Sequence, residues 1–401
     1  MIIFNFNAFF RFTLDLPSES VNPKQGFHLG AINSLSGVGG HQLELLVLAQ
    51  LTGNSSYSDR VARLRRFLQR NTQKQYYNTY AGYMDWVDVQ AGTWFYTTTT
   101  SGSGSGRSPG ITGGKTLPTE SLTVSFSSDG ADYYRSLLST FLQSPTSGSA
   151  AAAESWILLE EALRSALRIG LFAASPNSSL IYSRSYSYSS DTYGDHMTAD
   201  SCYLGGLLAT SGRLLEDRLS ANRSLGAADR KQELQLVHQL AVLAEGITET
   251  CSAVSRATNS GLPPSRWYFN AAQEDGTNVG GSLETLFEKS FSLSGELAES
   301  YFVLHRLTGE EKYRSAAWEL AQAIYRHCRI EGGESLGVAA YAGLADVDLV
   351  PRTRNLGPGH QPAIFLSATL KYLYLIFSEG TVLPLDQWVF NTAGHPLPIR
   401  K

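Results

Sequence analysis

Apolar residues recur every three to four positions along most of the chain, which is the period of a helix buried on one face. Two polar stretches interrupt this pattern: residues 97–115, a low-complexity loop insertion, and the Ser/Tyr-rich residues 175–195, also predicted as a loop. We therefore expect a fold dominated by α-helices. The predicted helical segments are 41–70, 131–143, 150–173, 225–256, 297–330 and 362–378.

One helix–turn–helix pattern occurs twice. Segments 44–64 and 300–320 each contain an apolar helix, a Leu-Thr-Gly turn, a tyrosine four residues after the glycine, and a second helix. Gly53 and Gly309 would supply the left-handed residue that ends the first helix. A weaker echo, GGLLATSGRLL, lies at 205–215. Repeated αα-hairpins predict a ring or stack of helix pairs.

Length and composition indicate a globular protein with a large core. The chain has 401 residues, of which 42% are hydrophobic and 17% are charged. Large barrels reach this size as one domain, so residues 1–401 are predicted to form a single domain. A net charge of −4 argues against nucleic acid and acidic membrane surfaces as partners. No stretch approaches the ~20 apolar residues that a membrane span needs.

The cysteines allow at most one disulfide and fit no zinc-binding pattern. They are Cys202, Cys251 and Cys328. The run GITGGKT resembles part of a phosphate-binding loop, but Pro109 replaces the required first glycine and no strand-to-helix context surrounds it. A linker is the better interpretation, and no nucleotide or redox cofactor is predicted.

The cellular compartment stays open on sequence grounds. Residues 1–12 are apolar but lack the basic lead and small-residue cleavage site of a signal peptide, which favours a strand or a shortened start. The location is cytoplasmic if this start is genuine, and the secretory pathway if a signal segment is missing. Asn-X-Ser sequons, which matter only in the secretory pathway, begin at Asn54, Asn177 and Asn222.

Three long segments resemble the class I α-1,2-mannosidases, glycoside hydrolase family 47. They are SLSGELAESYFVLHRLTGEEKYRSAAWELAQAIYRHCR (292–329), YAGLADV (341–347) and FLSATLKYLYLIFSEGTVLPLDQWVFNTAGHPLP (365–398). Weaker echoes are CYLGG (202–206) and DYYRSLL (132–138). The resemblance implies an (α/α)7 barrel of helix hairpins, incomplete at the N-terminus here, with residues 379–401 as a C-terminal β-hairpin plug.

The family resemblance also implies a chemistry. Inverting hydrolysis needs one carboxylic acid to protonate the leaving oxygen and another group to activate water. Calcium on the barrel axis wants six to eight oxygen ligands, and a threonine hydroxyl with its own carbonyl begins to supply them. Thr392 matches the family's calcium threonine, Glu296 its proposed base, and Glu299 the second glutamate of the same motif.

Several other motif positions have lost their charged groups. The general-acid glutamate falls on Arg135, which cannot donate a proton near neutral pH. A glutamate that supports calcium-bound water is Ala368, and the acidic neighbour of the threonine is Ala393. Ser294 replaces an arginine, while Ser265 and Tyr268 replace a carboxylate and a histidine. Calcium binding is therefore expected to be weak, and hydrolysis inefficient.

One motif, DHLxCFxGG in the family, aligns in two ways. Without a gap its aspartate falls on Thr198; with an insertion of about one helical turn it matches Asp195-His196. Asp200 is a second nearby carboxylate. Asp195-His196 lacks a third metal ligand at suitable spacing, so a surface loop is the simpler interpretation.

Three hypotheses about the function follow from these residues. The favoured one is a repurposed enzyme whose drier pocket carries out cyclisation or isomerisation of a less polar small molecule. Proton handlers would be Glu296, Asp200 and Tyr268, and substrate would be held by Arg135, Thr198, Trp267 and Glu299. The alternatives are a calcium-dependent α-1,2-mannosidase acting on N-glycans and a non-catalytic scaffold or glycan- or protein-binding relative. In structural terms alone, Glu296 could cap a helix and Arg135 could be a solvated charge.

Overall fold

Helix is the dominant element in the computed structural model of the chain. The predicted loop insertion at 97–115, the apolar start and Asn177 lie outside the residues that the structure describes. Those residues are 16–17, 20–22, 27–29, 32–75, 84–88, 93–94, 123–144, 149–175, 179–188, 190–222, 224–269, 285–330, 340–349 and 361–400.

Most of the described helices lie in the predicted segments, whereas α1 and α6 lie outside them. They are α1 (Leu35–Gly39), α2 (Gln42–Thr52), α3 (Ser56–Gln75), α4 (Ser128–Gln143), α5 (Ala150–Arg168), α6 (Leu204–Ala221), α7 (Ala227–Ala257), α8 (Glu296–Thr308), α9 (Glu311–Cys328) and α10 (Leu370–Phe377). A 3-10 segment precedes α6 and a π-helical segment precedes α10; they are Ala199–Tyr203 and Phe365–Thr369.

Strands are short and antiparallel. They are β1 (Ser20–Asn22), β2 (Phe27–Leu29), β3 (Ile32–Ser34), β4 (Trp86–Asp88), β5 (Thr93–Trp94), β6 (Thr123–Val124), β7 (Phe172–Ala174), β8 (Ile181–Ser183), β9 (Tyr186–Ser187), β10 (Thr192–Tyr193), β11 (His196–Thr198), β12 (Arg266–Tyr268), β13 (Thr285–Glu288), β14 (Trp388–Phe390) and β15 (Pro396–Pro398). The sheets have the orders β1-β2, β3-β4-β5, β10-β9-β6, β7-β8, β11-β12-β13 and β14-β15.

The chain divides into two compact units. Unit 1 comprises residues 1–171, 185–194 and 400–401, and unit 2 comprises residues 172–184 and 195–399. In unit 1, α4 packs against α1, α2 and α5. In unit 2, α6 packs against α7 and α8, and α8 packs against α9 and α10. The prediction of one domain over 1–401 stays a prediction.

Unit 2 contains the disulfide that the sequence left open. Cys202 and Cys251 are bonded and fully buried, which ties the 3-10 segment to α7, and the free Cys328 is also buried. The bond closes a loop of 49 residues. It therefore restricts the unfolded chain strongly in this unit. No described helix is long and apolar enough to cross a bilayer.

Both Leu-Thr-Gly turns form as predicted, whereas the third echo does not. Gly53 and Gly309 have φ of 68° and 73°, and each ends the first helix of a hairpin. The prediction of a turn within 205–215 is wrong, because α6 runs through it without a break. A methyl group on Gly205 would lie 2.0 Å from Thr248 Oγ1, so this glycine of the run allows α6 to pack closely on α7.

Two predicted boundaries are also corrected. The helix predicted over 150–173 ends at Arg168, because Gly170 adopts φ 73° and the chain continues into β7. The predicted loop 175–195 contains β8, β9 and β10. Its alternating Ser and Tyr residues have the period of a strand, and Tyr182 stacks on Phe269 with ring centroids 3.9 Å apart.

Candidate functional site

Three candidate residues lie on one antiparallel pair of strands in unit 2. Strand β11 pairs with β12 so that Thr198 faces Arg266, Met197 faces Trp267 and His196 faces Tyr268. Trp267 is only 1% exposed, which makes it a core residue in this structure, whereas Thr198 and Tyr268 are half-buried. Thr198 and Tyr268 therefore lie on the same face of the strand pair, two register positions apart.

His196 belongs to this strand pair and not to a metal cluster. Its ring centroid lies 5.4 Å from that of Tyr268. Burial, followed by the positive charge of Arg266, lowers the pKa of His196 and favours the neutral ring. No group of three or more His, Cys, Asp or Glu residues that could hold a metal occurs among the described residues.

Asp200 follows β11 directly, in the 3-10 segment. Ala199 N donates to Ser265 O at 3.0 Å, and Thr198 Oγ1 lies 3.2 Å from Ser201 Oγ. These bonds fix the start of the segment and hold the half-buried Asp200 close to the strand pair. The family aspartate can be aligned with Thr198 or with Asp195. Thr198 ends β11 and Asp195 immediately precedes this strand, so the two positions are only three residues apart.

The two retained glutamates stand on the first turn of α8. Glu296 is the first helical residue after the N-cap Gly295, and Glu299 lies three residues later on the same face. Both are half-buried, and Glu296 Oε2 is a buried atom. Glu296 is therefore not the N-cap residue, although acidic groups in the first turn interact favourably with the helix dipole.

Helix α8 is joined to the 3-10 segment by one serine. Ser300 Oγ donates to Cys202 O at 2.6 Å and accepts from Gly206 N at 2.9 Å. Ser300 is fully buried, so these bonds are shielded from water. The glutamates of α8 and the Asp200 segment are therefore held on elements that pack directly on each other.

A buried alanine close to two glycines stands at the position where the family has a calcium-supporting glutamate. Ala368 is 2% exposed and lies between two glycines. A methyl group on Gly394 would lie 3.0 Å from Ala368 Cβ and 2.5 Å from Ser367 O, and one on Gly295 would lie 3.2 Å from Ala368 Cβ. The backbones of Gly295 and Gly394 therefore lie close to Ala368, and a glutamate at this position would start from a buried residue beside them.

The β14–β15 hairpin holds Thr392 in a turn that satisfies its own backbone. Asn391 Oδ1 accepts from Ala393 N at 3.1 Å and from His395 N at 2.7 Å. Lys371 Nζ donates to Gly394 O at 2.7 Å, and burial lowers the pKa of this lysine. Sequence reasoning missed Lys371, although it is the one charged residue in the run FLSATLKYLYL.

These residues do not fit a calcium ion as the family resemblance implies. Calcium wants six to eight oxygen ligands, many of them carboxylates. The turn offers the Thr392 hydroxyl and carbonyl. Positions 368 and 393 are alanines, and the Gly394 carbonyl already accepts a hydrogen bond from the ammonium group of Lys371. The expectation of calcium at Thr392 therefore stays a prediction of weak binding.

Arg135 lies on α4 in unit 1. It is 8% exposed, and its guanidinium forms an ion pair with Asp132 at 3.1 Å. The interpretation as a solvated surface charge is therefore wrong. The structure does not assign it a ligand, and its substrate-binding role stays a prediction.

Asp85 lies close to the first turn of α4 and has an unusual pKa. Its carboxylate accepts from Ser125 N at 3.1 Å and lies 2.9 Å from Ser125 Oγ. Burial raises the pKa of Asp85 well above its ordinary value, and the charge of Asp129 adds to the effect. The folded state therefore binds this proton more tightly than the unfolded chain does.

Substituting Asp85 should change how stability depends on pH. Because the folded pKa is raised, the contribution of Asp85 favours folding most at low pH and is lost as pH rises above about 3.8. We expect the unfolding free energy of the parent chain, relative to Asp85→Asn, to fall by at most about 1.4 kcal/mol per pH unit across the acid range. Urea unfolding at several pH values measures this slope; Asp129→Asn should reduce it, and parallel curves would contradict the assignment.

The sequence profile of glycosyl hydrolase family 47 matches residues 6–399. The chain belongs to this family. Among curated relatives, mannosyl-oligosaccharide alpha-1,2-mannosidase IA of Spodoptera frugiperda is 29% identical over 96% of this chain and 48% of its own length. The Drosophila melanogaster protein of the same name is 30% identical, with the same coverage. This family 47 chain thus spans about half the length of the curated relatives it matches.

Solved structures confirm the predicted fold class. The alpha-1,2-mannosidase from Trichoderma reesei superposes with a TM-score of 0.74 at 19% identity, over 98% of this chain and 72% of that one. The cellobiose 2-epimerase from Spirochaeta thermophila has a TM-score of 0.52 at 12% identity, over 93% of this chain and 76% of that one. The family 47 chain therefore has the α/α-barrel fold, while the number of its helix pairs and a shortened N-terminus stay predictions.

Proposed function

We propose that this family 47 chain has lost calcium-dependent α-mannoside hydrolysis and carries out proton-transfer chemistry, such as isomerisation or cyclisation, on a less polar small molecule. The observation that supports this most is at position 368, where the family has a metal-supporting glutamate: this chain has an alanine that is 2% exposed and lies close to the backbones of Gly295 and Gly394. Without that carboxylate the metal-bound water of a hydrolase has lost one of its supports.

The lost general acid supports the same proposal. Removing a well-placed acid typically lowers a rate by about 10²–10⁴-fold. Arg135 stands at that motif position, and a guanidinium paired with Asp132 cannot protonate a leaving oxygen. Both halves of the inverting mechanism are therefore weakened in this chain.

The retained groups suit proton transfer without water as a reactant. Glu296 would take a proton from a carbon or hydroxyl of the ligand, and Asp200 or Tyr268 would return one, so that no atom is gained or lost overall. Glu299 and Thr198 would hold polar groups of the ligand, and Trp267 would support the wall from the core. That a structure named as an epimerase shares the fold is an analogy at the level of the fold alone.

Release of mannose from an α-1,2-linked mannobiose tests the first half of the proposal. We expect a rate at least about 100-fold below that of the Trichoderma reesei relative, with no increase on adding calcium and no decrease on chelation. Small molecules that raise the melting temperature of the chain would then be incubated with the parent and with Glu296→Gln. The variant should still bind such a ligand and should no longer convert it.

Hydrolysis remains the second candidate, and the names of the curated relatives favour it. Both are called alpha-1,2-mannosidases, and Glu296, Glu299 and Thr392 match the family motifs. Calcium-dependent release of mannose that chelation abolishes would establish this candidate and overturn the proposal. Ligand binding with no conversion by the parent chain would instead indicate a binding protein.

A further inference from the structure

A cavity of about 280 Å³ lies between α7, α8 and α9 of unit 2. Helix α8 contributes Leu297 and Tyr301 to its wall, four residues apart and therefore on one face of the helix. Glu296 and Glu299 stand about 100° or more away from this face around the helix axis. The cavity is therefore distinct from the candidate site to which the two glutamates belong.

Three buried hydroxyl groups line this cavity, and each already donates its proton within the protein. They belong to Ser252, Ser255 and Tyr301. Ser255 Oγ donates to Cys251 O at 2.9 Å, and Ser252 Oγ donates to Thr248 O at 2.7 Å. Because Ser252 has no second proton, its 2.7 Å contact with Tyr301 Oη is a bond that the tyrosine donates. What these groups still offer to a ligand is oxygen lone pairs.

The rim of the cavity carries charges of both signs. Arg256 and Arg326 are exposed and line the cavity from α7 and α9. Arg256 also forms an ion pair with Glu249 at 2.5 Å, which offsets part of the positive charge. Glu319 is exposed on the same rim. The rim therefore offers guanidinium N–H donors and a carboxylate acceptor, while the buried hydroxyl groups offer acceptors.

Three kinds of small polar ligand fit this wall unequally. A fully ionised anion such as sulfate would set its own lone pairs against those of the buried hydroxyl oxygens. An ammonium group would donate to these oxygens, but it would lie beside two guanidinium groups of the same charge. A neutral hydroxyl group both donates and accepts. It can therefore donate to the buried oxygens and accept from the arginines.

The apolar part of the wall suits the carbon skeleton of such a molecule. Leu297, Leu320 and Ala323 are buried and line the same cavity. Its volume lies just below the ~300–1,000 Å³ that is typical of small-molecule sites, so the occupant must be small. We propose that the cavity binds a small neutral polyol, of the size of a single polyhydroxylated ring. No described residue assigned to the proposed function lines the cavity, so the two proposals stand independently.

Titration of the full chain with myo-inositol, followed by ligand-observed NMR, tests this proposal. The probe is an uncharged carbon ring with a hydroxyl group on every carbon. We expect saturable binding with a Kd on the order of 1 mM, as suits a ligand of this size. Sulfate and ethanolamine, added at constant ionic strength, should not displace it, because each lacks either the donors or the neutrality that the wall requires.

Matched variants on α9 locate the bound molecule. Ala316 lines the cavity whereas Ala321 does not, and both are half-buried. Ala316→Leu fills part of the space and should weaken binding at least about 10-fold, while Ala321→Leu should change it by no more than about 2-fold. Tyr301→Phe removes one acceptor oxygen and should weaken binding about 2–10-fold. Thermal unfolding checks that each variant is folded, and Tyr301→Phe decides if Ala316→Leu is not.

Three results would overturn the proposal. Failure of the parent chain to bind myo-inositol at tens of millimolar would show that the cavity is not a polyol site. Equal binding by Ala316→Leu and Ala321→Leu would place the ligand elsewhere on the chain. Displacement by sulfate or ethanolamine would assign the cavity to a charged ligand instead. The conversion assay with Glu296→Gln is a separate measurement, so failure here is distinguishable from failure of the proposed function.

Discussion

Replacing Arg65 by alanine is expected to lower the unfolding free energy by about 3–5 kcal/mol, the cost of removing one partner from a buried polar network. Arg65 is 1% exposed, and its guanidinium joins α3 to residues of α2 and α5. It donates to Gln42 Oε1 at 2.7 Å, Ala151 O at 2.7 Å and Ser155 Oγ at 2.6 Å. The loss leaves Gln42, itself fully buried, with an oxygen that has no donor from α3.

The neighbouring arginine is a matched control for this experiment. Arg66 is exposed, and its Nε donates only to Ala62 O of its own helix. Arg66→Ala should change stability by no more than about 0.5 kcal/mol. Arg65→Lys should recover little, since an ammonium group cannot reproduce the fork of several donors. Equal urea midpoints for Arg65→Ala and Arg66→Ala would show that the buried network does not stabilise unit 1.

The sequence predicted the helices and their turns because those features depend on nearby residues. The Leu-Thr-Gly pattern places Gly53 and Gly309 at the helix ends, and both adopt the left-handed conformation. Gly205 shows the limit of this reasoning, since this glycine in a similar run serves close packing of α6 on Thr248 of α7. Local sequence cannot distinguish these uses, because the second depends on a partner helix distant in the chain.

Contacts between distant residues could not be predicted in the same way. Arg65 meets partners 86 to 90 residues further along the chain, and nothing in its own segment separates it from its exposed neighbour Arg66. Three cysteines allow three pairings, and only the three-dimensional proximity of Cys202 and Cys251 selects one. These features require the fold to be known first.

The sequence identified candidate residues of the site but did not show how they are arranged in space. Motif matching identified Glu296 and Thr392, and the structure places them on α8 and on the β14–β15 hairpin. What matching could not show is that the backbone of Gly394 approaches Ala368 so closely. The loss of the glutamate is seen in the sequence, whereas the burial of Ala368 beside Gly295 and Gly394 is seen only in the structure.

Replacing Ala368 by glutamate is expected to lower the unfolding free energy by about 3 kcal/mol or more, and to restore no mannosidase activity. Overpacking a filled site costs about 1–3 kcal/mol, and an unpaired buried carboxylate adds to this. The new side chain would extend from a residue that is 2% exposed and lies close to the backbones of Gly295 and Gly394. Urea unfolding measures the loss, and mannobiose hydrolysis with added calcium measures any gain.

The same substitution at Ala393 provides the control, because it adds an identical charge beside Thr392 at a half-buried position of the hairpin turn. Ala393→Glu should cost no more than about 1 kcal/mol, since its carboxylate can remain in water. If Ala368→Glu is as stable as Ala393→Glu and the double variant binds calcium and releases mannose, then space for the metal shell exists and the chain is a hydrolase that lacks only two side chains. If Ala368→Glu alone is destabilised, the burial of position 368 beside Gly295 and Gly394 makes the family's glutamate costly in this chain, as the proposal expects.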